Sequence, residues 1–347
     1  MESEEKHVED AELVKSCFPY INGMGGTAVQ AALALARFGG ESLVHLTDNS
    51  KEVCDILLSP YIHVALEDGS TGHTDRVEHV NPQEVHIIIQ FKKGDVIRLG
   101  HQSAVIPCSN RLILTKNTVN KYVPFWEPYF KWIECNAGKV SSNVLSSFNS
   151  ILDPMILRER LEYVKNHVSI YRQNNPEGVV YFEDAHYHNE HVRELCAEIL
   201  YPCVDILSMN EEELKYTLES MYNVKVDIDN IYSCIEGIDF LQKKFNFTKG
   251  IIVHTKDYAM FVGDPGRFDI ESGLMFGAML ATAKAANGVY GTPGMIEEVL
   301  KLDMSDKGLY NLRLVEESPY KDRVILVPTR YIDKPKYTIG LGDSFTG

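Results

Sequence analysis

The sequence predicts an α/β fold with three layers, in which helices cover both faces of a mostly parallel sheet and a small β-rich lid domain is inserted. Two observations support this prediction. After about residue 116, short apolar stretches typical of buried strands alternate with longer stretches typical of helices. Between about 61 and 115, several short strands are separated by Gly, Asp and Asn turns, which is typical of an antiparallel sheet. The predicted core therefore comprises 1–60 and 116–347, and the lid comprises 61–115.

The first predicted unit is a glycine turn followed by a helix and a strand. The segment 27–38 is rich in Ala and Leu, which indicates a well-buried helix. A Gly-Gly pair precedes this helix at 25–26 and another follows it at 39–40, as expected at helix ends. The strand is predicted at 42–46.

The remaining elements follow from the same patterns. In the lid, strands are predicted at 85–91, 95–99, 104–106 and 112–114. In the second part of the core, helices are predicted at 155–171, 188–200, 211–221, 235–245 and 273–286. The strands between and after them are predicted at 178–183, 204–208, 250–254, 258–262, 323–328 and 337–339.

The composition limits the class of protein. The chain has 347 residues, and 49 Asp and Glu against 34 Lys and Arg give a formal net charge of −15, which disfavours nucleic-acid binding. No apolar run approaches the roughly 20 residues of a membrane helix, and the acidic start is unlike a signal peptide. Seven cysteines without a Cys-x-x-Cys pair predict reduced thiols. We therefore expect a cytoplasmic protein with small-molecule partners, without nucleic acid or membrane; its oligomeric state is unknown.

Three polar clusters follow predicted strands, where sheets of this kind bind their ligands. The one at 340–343 follows an apolar strand and reads Gly-Leu-Gly-Asp. Its two glycines allow the backbone to approach a ligand, and the amides that follow would face an anion. Asp343 would be repelled by a phosphate, and is better suited to accept a proton from an attacking hydroxyl. The alternative is a glycine turn in which Asp343 caps a helix.

The other two clusters contain acidic side chains that could support a metal ion. Asn210 and Glu213 are three residues apart at the start of a helix, so both could reach Mg²⁺ through water. Glu183, at the end of another strand, could support the same ion. The alternatives are a capping box formed by Asn210 and Glu213, and a helix cap formed by the acids at 183–184.

Together, a metal-supporting acid pair, an anion-binding helix end and an Asp base predict phosphoryl transfer. In these clusters and in several other segments, the chain is similar to the ADP-dependent glucokinase/phosphofructokinase family of the ribokinase-like superfamily. The similar segments are Gly25-Gly26-Thr27-Ala28 (GGNA or GGQA in the family), Asn110-Arg111-Leu112-Ile113 (NRFI), Glu183 (HxE), Asn210 with Glu213 (NxxE), Val253-His254-Thr255, and Val327-Pro328-Thr329-Arg330 with 338–343 (VPTR and TVGxGD).

The resemblance implies a kinase that uses ADP as phosphoryl donor, requires Mg²⁺, and phosphorylates glucose or fructose 6-phosphate to give AMP. It implies that Asp343 is the catalytic base. The residues it assigns to the anion hole and nucleotide are Gly340, Leu341, Gly342, His254, Arg330 and Ile339. Those it assigns to the sugar are Gly25, Gly26, Thr27, Asn110 and Arg111, and those it assigns to the metal are Glu183, Asn210 and Glu213.

The sequence departs from the family pattern at several positions. Tyr181 stands where the family has the His of HxE, and Thr27 stands where it has Asn or Gln. The comparison also predicts that the sequence is truncated at both ends relative to the family, so we expect the chain as given to be inactive or nearly so. The segments Val85-His86-Ile87 and Asn110-Arg111 favour the phosphofructokinase type, because a sugar phosphate needs a basic residue as its partner.

Two alternatives to an ADP-dependent sugar kinase remain open. One is a catalytically impaired sugar- or nucleotide-binding protein on the same scaffold, which the departures favour. The other is an ATP-dependent carbohydrate or nucleoside kinase, because 343–347 also resembles the GDSFTG ending of that group. The VPTR segment and the order of the lid favour the ADP-dependent branch.

Overall fold

The computed structural model describes residues 4–7, 11–80, 83–107, 110–116, 118–187, 189–288, 292–332, 335–337 and 340–347. The strands are β1 (Glu4–His7), β2 (Ser42–Val44), β3 (Ile62–Ala65), β4 (Thr71–Gly72), β5 (Val85–Phe91), β6 (Val96–Leu99), β7 (Gln102–Val105), β8 (Asn110–Lys116), β9 (Ser142–Leu145), β10 (Val179–Glu183), β11 (Ile206–Asn210), β12 (Gly250–His254), β13 (Tyr258–Gly263) and β14 (Val324–Pro328). The α-helices are α1 (Ala11–Cys17), α2 (Thr27–Leu35), α3 (Lys51–Leu57), α4 (Glu127–Cys135), α5 (Pro154–Asn174), α6 (Glu190–Ile199), α7 (Glu211–Tyr216), α8 (Ile231–Phe245), α9 (Ile270–Asn287), α10 (Pro293–Leu300), α11 (Asp306–Glu316) and α12 (Leu341–Thr346).

A six-stranded sheet forms the centre of the molecule, in the order β14-β13-β12-β11-β10-β9. Strands β9 to β12 are parallel, while β13 and β14 are each antiparallel to their neighbour. The sheet is therefore mostly parallel, as predicted. The carboxyl ends of β10, β11 and β12 lie at one edge, where ligands bind in open α/β sheets.

Alternate residues of the strands pack on opposite faces of the sheet, because the side-chain period of a strand is two. On β10, Val180 and Phe182 belong to the larger hydrophobic core, which also contains apolar residues of α5, α6 and α8. Val179 and Tyr181 face a second core, which α9 and α12 cover. Helices therefore cover both faces, and the predicted three layers are confirmed.

The predicted helices are found with shifted ends. Helix α2 ends at Leu35 and a 3₁₀ turn continues to Phe38, while the helix expected over 211–221 is α7 followed by a π-helix, Thr217–Met221. The strand expected at 337–339 cannot be compared, because residues 338 and 339 lie outside the described residues.

The segment that was predicted to be a lid forms three smaller sheets together with strands that precede it in the chain. Strand β8 pairs with β5 and with β1 from the start of the chain, β6 pairs with β7, and β2 pairs in parallel with β3. The short strands β1, β3, β4 and β9 were not predicted from the sequence. The division into a core and a lid at residues 61 and 115 stays a prediction.

Two further features bear on the composition analysis. In the part of the chain that the structure describes, no helix combines the length and the apolar character needed to cross a bilayer. The six described cysteines have free thiols, and Cys108 lies outside the described residues.

Candidate active site

The ends of three neighbouring strands bring Glu183, Asn210 and His254 to one edge of the central sheet. In the register of the sheet, Glu183 of β10 lies opposite Ser208 of β11, and Asn210 of β11 lies opposite His254 of β12. Parallel pairing places the ends of these strands side by side, although the residues are far apart in sequence. The polar clusters after β10 and β11 therefore lie at the same edge of the sheet.

Helix α12 places the Asp343 carboxylate against the start of α2. The Thr27 hydroxyl donates to Oδ1 at 2.7 Å, and the Gln30 side-chain amide donates to Oδ2 at 2.5 Å. Helix α2 begins after Gly26, whose φ of 86° lies in the left-handed region that glycine favours. The Gly-Gly-Thr segment and the Gly-x-Gly-Asp segment are therefore parts of one site.

A buried lysine completes this cluster. Lys284 of α9 is 8% exposed, and its Nζ donates to the carbonyl of Gly340 at 3.1 Å and to the side-chain oxygen of Gln30. Gly340 has a φ of 63°, and a Cβ atom at this position would lie 2.6 Å from the Gln30 amide. Glycine is therefore required at residue 340 by both its conformation and its neighbours.

His254 links the strand ends to α12. Its Nε2 atom lies 2.9 Å from Oε1 of Glu183, and the Tyr181 hydroxyl donates to the other Glu183 oxygen at 3.0 Å. The imidazole ring packs against Phe345, with ring centroids 4.9 Å apart. A Cβ atom at Gly342 would lie 3.1 Å from Cε1 of His254, so the loop passes close to this ring.

Asn210 and Glu213 form a reciprocal capping box at the start of α7. The backbone N–H of Glu213 donates to Oδ1 of Asn210, the backbone N–H of Asn210 donates to Oε2 of Glu213, and both distances are 2.9 Å. Burial, followed by the charge of Asp184, raises the pKa of Glu213 to about 7. The capping alternative is thus realised. It uses Oε2 of Glu213, and Oε1 is not part of the cap.

The predicted base is also in an environment that favours its neutral form. Burial raises the pKa of the Asp343 carboxyl above its ordinary value, and the charge of Glu183 acts in the same direction. The hydrogen bond from Thr27 and the charges of Lys284 and His254 act in the opposite direction. A carboxyl group with a raised pKa is a stronger proton acceptor once ionised, which suits a general base.

The described side chains do not form a preassembled metal centre. Among the described residues, no group of three or more His, Cys, Asp or Glu side chains is arranged to hold a metal ion. Glu183 and Glu213 nevertheless supply oxygen atoms, which are the ligands that Mg²⁺ prefers, and Mg²⁺ usually keeps several water molecules. The donor set fits a hydrated magnesium ion held through water.

Two further predicted site residues, Arg330 and Arg111, lie on other segments of the chain. Arg330 donates from Nη1 to the carbonyl of Leu302 at 2.7 Å. Arg111 lies on β8 opposite Gln90 of β5. At Gly25, an added Cβ atom would meet no described heavy atom within 4 Å beyond its chain neighbours. The side chain of Asn110 and all of Ile339 lie outside the described part of the chain.

Sequence analysis missed Gln30 and Lys284. Gln30 lies in an alanine-rich apolar helix, Lys284 lies in a run of small residues near the end of α9, and both are buried. A polar side chain on the buried face of a helix must find a partner, because an unpaired polar group in the interior is costly. That signal was present in the sequence, but it could not identify Asp343 as the partner.

Solved structures share this fold. A hypothetical ADP-dependent phosphofructokinase from Pyrococcus horikoshii aligns with a TM-score of 0.79 and 20% identity, covering 99% of this chain and 82% of its own. An ADP-dependent kinase in complex with fructose-6-phosphate and ADPβS aligns with a TM-score of 0.80 and 19% identity, covering 99% and 83%. The chain therefore shares the fold of these ADP-dependent kinases, with the α/β architecture that was predicted.

The family model described as the ADP-specific phosphofructokinase/glucokinase conserved region matches residues 5–347, and the chain belongs to this family. It is 24% identical over 285 residues to the ADP-specific phosphofructokinase of Thermococcus kodakarensis, covering 77% of this chain and 61% of that relative. It is 25% identical over 344 residues to the ADP-dependent glucose/glucosamine kinase of Pyrococcus furiosus, covering 93% and 73%. The chain thus spans less than two thirds of the length of the first relative.

Proposed function

We propose that this chain transfers the β-phosphoryl group of ADP to a hydroxyl group of a sugar or sugar phosphate and releases AMP. The observation that carries the proposal is the Asp343 carboxylate, which is hydrogen-bonded to Thr27 and lies at the strand edge that holds Glu183 and His254. Family membership supports ADP as the donor. A proton acceptor in a partly enclosed site is what hydroxyl attack on a phosphoryl group requires.

In the proposed reaction, Asp343 accepts the proton of the acceptor hydroxyl as its oxygen attacks the β-phosphorus of ADP. A bond forms between the hydroxyl oxygen and the β-phosphorus, and the bond from that phosphorus to the bridging oxygen breaks, so AMP leaves with the electron pair. Thr27 and Gln30 hold the carboxylate in place during the attack. The amides of Leu341, Gly342 and Asp343, with Gly340, are proposed to face the transferred phosphoryl group.

Magnesium is part of the proposal. Glu183, Asn210 and Glu213 would hold the ion through water molecules, and it would neutralise the charge of the diphosphate. Burial raises the pKa of Glu213 to about 7, and a divalent cation bound beside it would favour the ionised form of this carboxyl group. His254 and Arg330, with Ile339, are proposed on the nucleotide side of the site.

Fructose 6-phosphate is the proposed acceptor, and glucose is the second candidate. Arg111 would supply the cation that a sugar phosphate needs, with Asn110 beside it, and Gly25, Gly26 and Thr27 would line the sugar. One aligned kinase is in complex with fructose-6-phosphate and ADPβS, while another relative is named a glucose/glucosamine kinase. The proposal includes the cytoplasmic location expected from the composition.

The proposal is tested by identifying the nucleotide product. The purified chain is incubated with Mg²⁺ and either ADP or ATP, with fructose 6-phosphate or glucose, and AMP and ADP are quantified by chromatography. AMP formed from ADP only when an acceptor is present supports the proposal. ADP formed from ATP would favour the ATP-dependent alternative, and nucleotide binding without any turnover would favour the impaired binding protein.

A further inference from the structure

The side-chain amide of Gln30 forms hydrogen bonds through both its oxygen atom and its nitrogen atom. Gln30 is 2% exposed, its Oε1 accepts a hydrogen bond from Nζ of Lys284, and its Nε2 donates to Oδ2 of Asp343 at 2.5 Å. An amide oxygen accepts and an amide nitrogen donates, so only one of the two amide orientations satisfies both partners. The ammonium group of Lys284 therefore determines which amide atom faces the Asp343 carboxylate.

Lys284 itself is held by groups that favour its charged form. Its ammonium group also donates to the carbonyl of Gly340, three residues before Asp343. A Cβ atom at residue 340 would lie 2.8 Å from Nζ, so the glycine leaves room for the amine. Burying an amine is costly unless it is paired, and this amine is buried beside the loop that carries the proposed base.

We propose that Lys284 and Gln30 form a relay that orients Asp343 and keeps its carboxylate ionised. Lys284 is a positioning residue in this arrangement, because it acts on Asp343 through the amide of Gln30 and through its charge. The inference rests on the proposed function only in so far as it makes Asp343 the general base. A protonated Asp343 could not accept the proton of an acceptor hydroxyl, so the relay would maintain the active form.

The electrostatic balance around Asp343 determines the sign of the expected effect. Thr27 from α2, Lys284 from α9 and His254 from β12 favour the ionised carboxylate, whereas burial and Glu183 from β10 favour the protonated form. Burial lowers the pKa of Lys284 to about 8, and the charge of Asp343 opposes this change, so the lysine is charged at neutral pH. Removing that charge would raise the pKa of Asp343.

The relay is tested by measuring the pKa of Asp343 directly. The chain is labelled with ¹³Cγ-aspartate, the Asp343 signal is assigned by its loss in Asp343→Asn, and its chemical shift is followed with pH in NMR spectra. In Lys284→Met we expect the pKa of Asp343 to rise by about one pH unit. Lys301→Met is the matched control, because Lys301 is exposed and pairs only with Glu298 among its described contacts. We expect no change there.

Two further variants separate the relay from a merely structural effect. Gln30→Met should also raise the pKa of Asp343, because it removes a hydrogen bond to the ionised form. Lys284→Arg, which retains the charge, should keep more of the wild-type value than Lys284→Met. If Lys284→Met does not fold, the pKa of Asp343 in Gln30→Met, measured in the same way, tests the relay. An Asp343 pKa that is unchanged in the folded variants would overturn the relay.

The pH dependence of enzyme activity provides a second test of the relay. If the wild-type chain forms AMP, the acidic limb of its pH–kcat/KM profile should move to higher pH in Lys284→Met, while ADP affinity stays within about two-fold. A profile that overlays the wild type would contradict the relay. If the wild-type chain forms no AMP, the proposed function fails, whereas the NMR titration still decides between a coupled and an uncoupled Asp343.

Discussion

The Nε2 atom of His254 lies 2.9 Å from Oε1 of Glu183, and this contact joins the ends of two strands that are separated by β11 in the sheet order. Burial alone would lower the pKa of His254, but the charges of Glu183, Glu213 and Glu211 outweigh it, so the pKa of His254 is raised overall. Because the ring of His254 also packs against Phe345 of α12, it connects the acidic strand ends to the helix that carries the proposed base.

Asp343→Asn should nearly abolish phosphoryl transfer while nucleotide binding is retained. The substitution removes the proton acceptor but leaves the backbone of the glycine loop, and loss of a general base typically costs roughly 10²–10⁴-fold. AMP formation and ADP binding by calorimetry give the two measurements. Asp322→Asn, at an exposed residue before β14, is the control. Turnover by Asp343→Asn at the wild-type rate would show that Asp343 is not the base.

Glu213→Gln should raise the Mg²⁺ concentration needed for half-maximal activity more than it raises the KM for the sugar. Glutamine keeps a side-chain oxygen that can accept the backbone N–H of Asn210, so the cap of α7 is preserved. The loss is therefore confined to the negative charge. Glu212→Gln, at an exposed neighbour in the same first turn, should leave the magnesium titration unchanged. If the magnesium titration curves of Glu213→Gln and wild type overlay, Glu213 is a capping residue only.

Gly340→Ala should destabilise the fold and impair transfer, whereas Gly25→Ala should leave the stability of the fold nearly unchanged. A side chain at residue 340 would be strained by its positive φ and would lie 2.6 Å from the Gln30 amide. Strain of this kind costs about 1–3 kcal/mol. A Cβ atom at residue 25 would meet no described heavy atom within 4 Å beyond its chain neighbours, so this substitution should stay within about 0.5 kcal/mol. Urea denaturation measures the free energy of unfolding, and equal values for the two variants would contradict the close approach around Gly340.

Arg193→Met should strongly destabilise the molecule. Arg193 is 1% exposed, and its Nη2 contacts Oδ2 of Asp184 at 3.1 Å and the carbonyl of Glu213 at 3.0 Å. Removing one partner of a buried ion pair leaves an uncompensated charge, which costs about 3–5 kcal/mol. Arg267→Met, which breaks the exposed pair with Glu177, is the control and should cost at most about 1 kcal/mol.

The free energies of unfolding of both arginine variants are obtained from urea titrations. The double variant Asp184→Asn with Arg193→Met should be more stable than Arg193→Met alone, since it removes the unpaired charge. If Arg193→Met is no more destabilising than Arg267→Met, the buried network around Asp184 contributes little to stability.

The sequence by itself predicted most of the architecture. Strand and helix periodicity identified the strands that end at Glu183 and His254, and the glycine pattern located the loop before Asp343, because burial on defined faces imposes a regular spacing on apolar residues. The ends of helices were less accurate. The π-helix after Tyr216 was not predicted. Arg193 of α6 donates to the hydroxyl group of Thr217, the first residue of this π-helix, and a contact from another helix leaves no pattern in the local sequence.

Only the tertiary structure decided which polar side chains become partners. The resemblance assigned Thr27 to the sugar, and only the structure shows that its hydroxyl group donates to Asp343, 316 residues away. Gln30 and Lys284 are separated by 254 residues and meet only because α2, α9 and α12 pack together. Local patterns report which face of an element is buried, but not which element covers it. Pairing between distant polar groups follows from that packing, and no spacing along the chain encodes it.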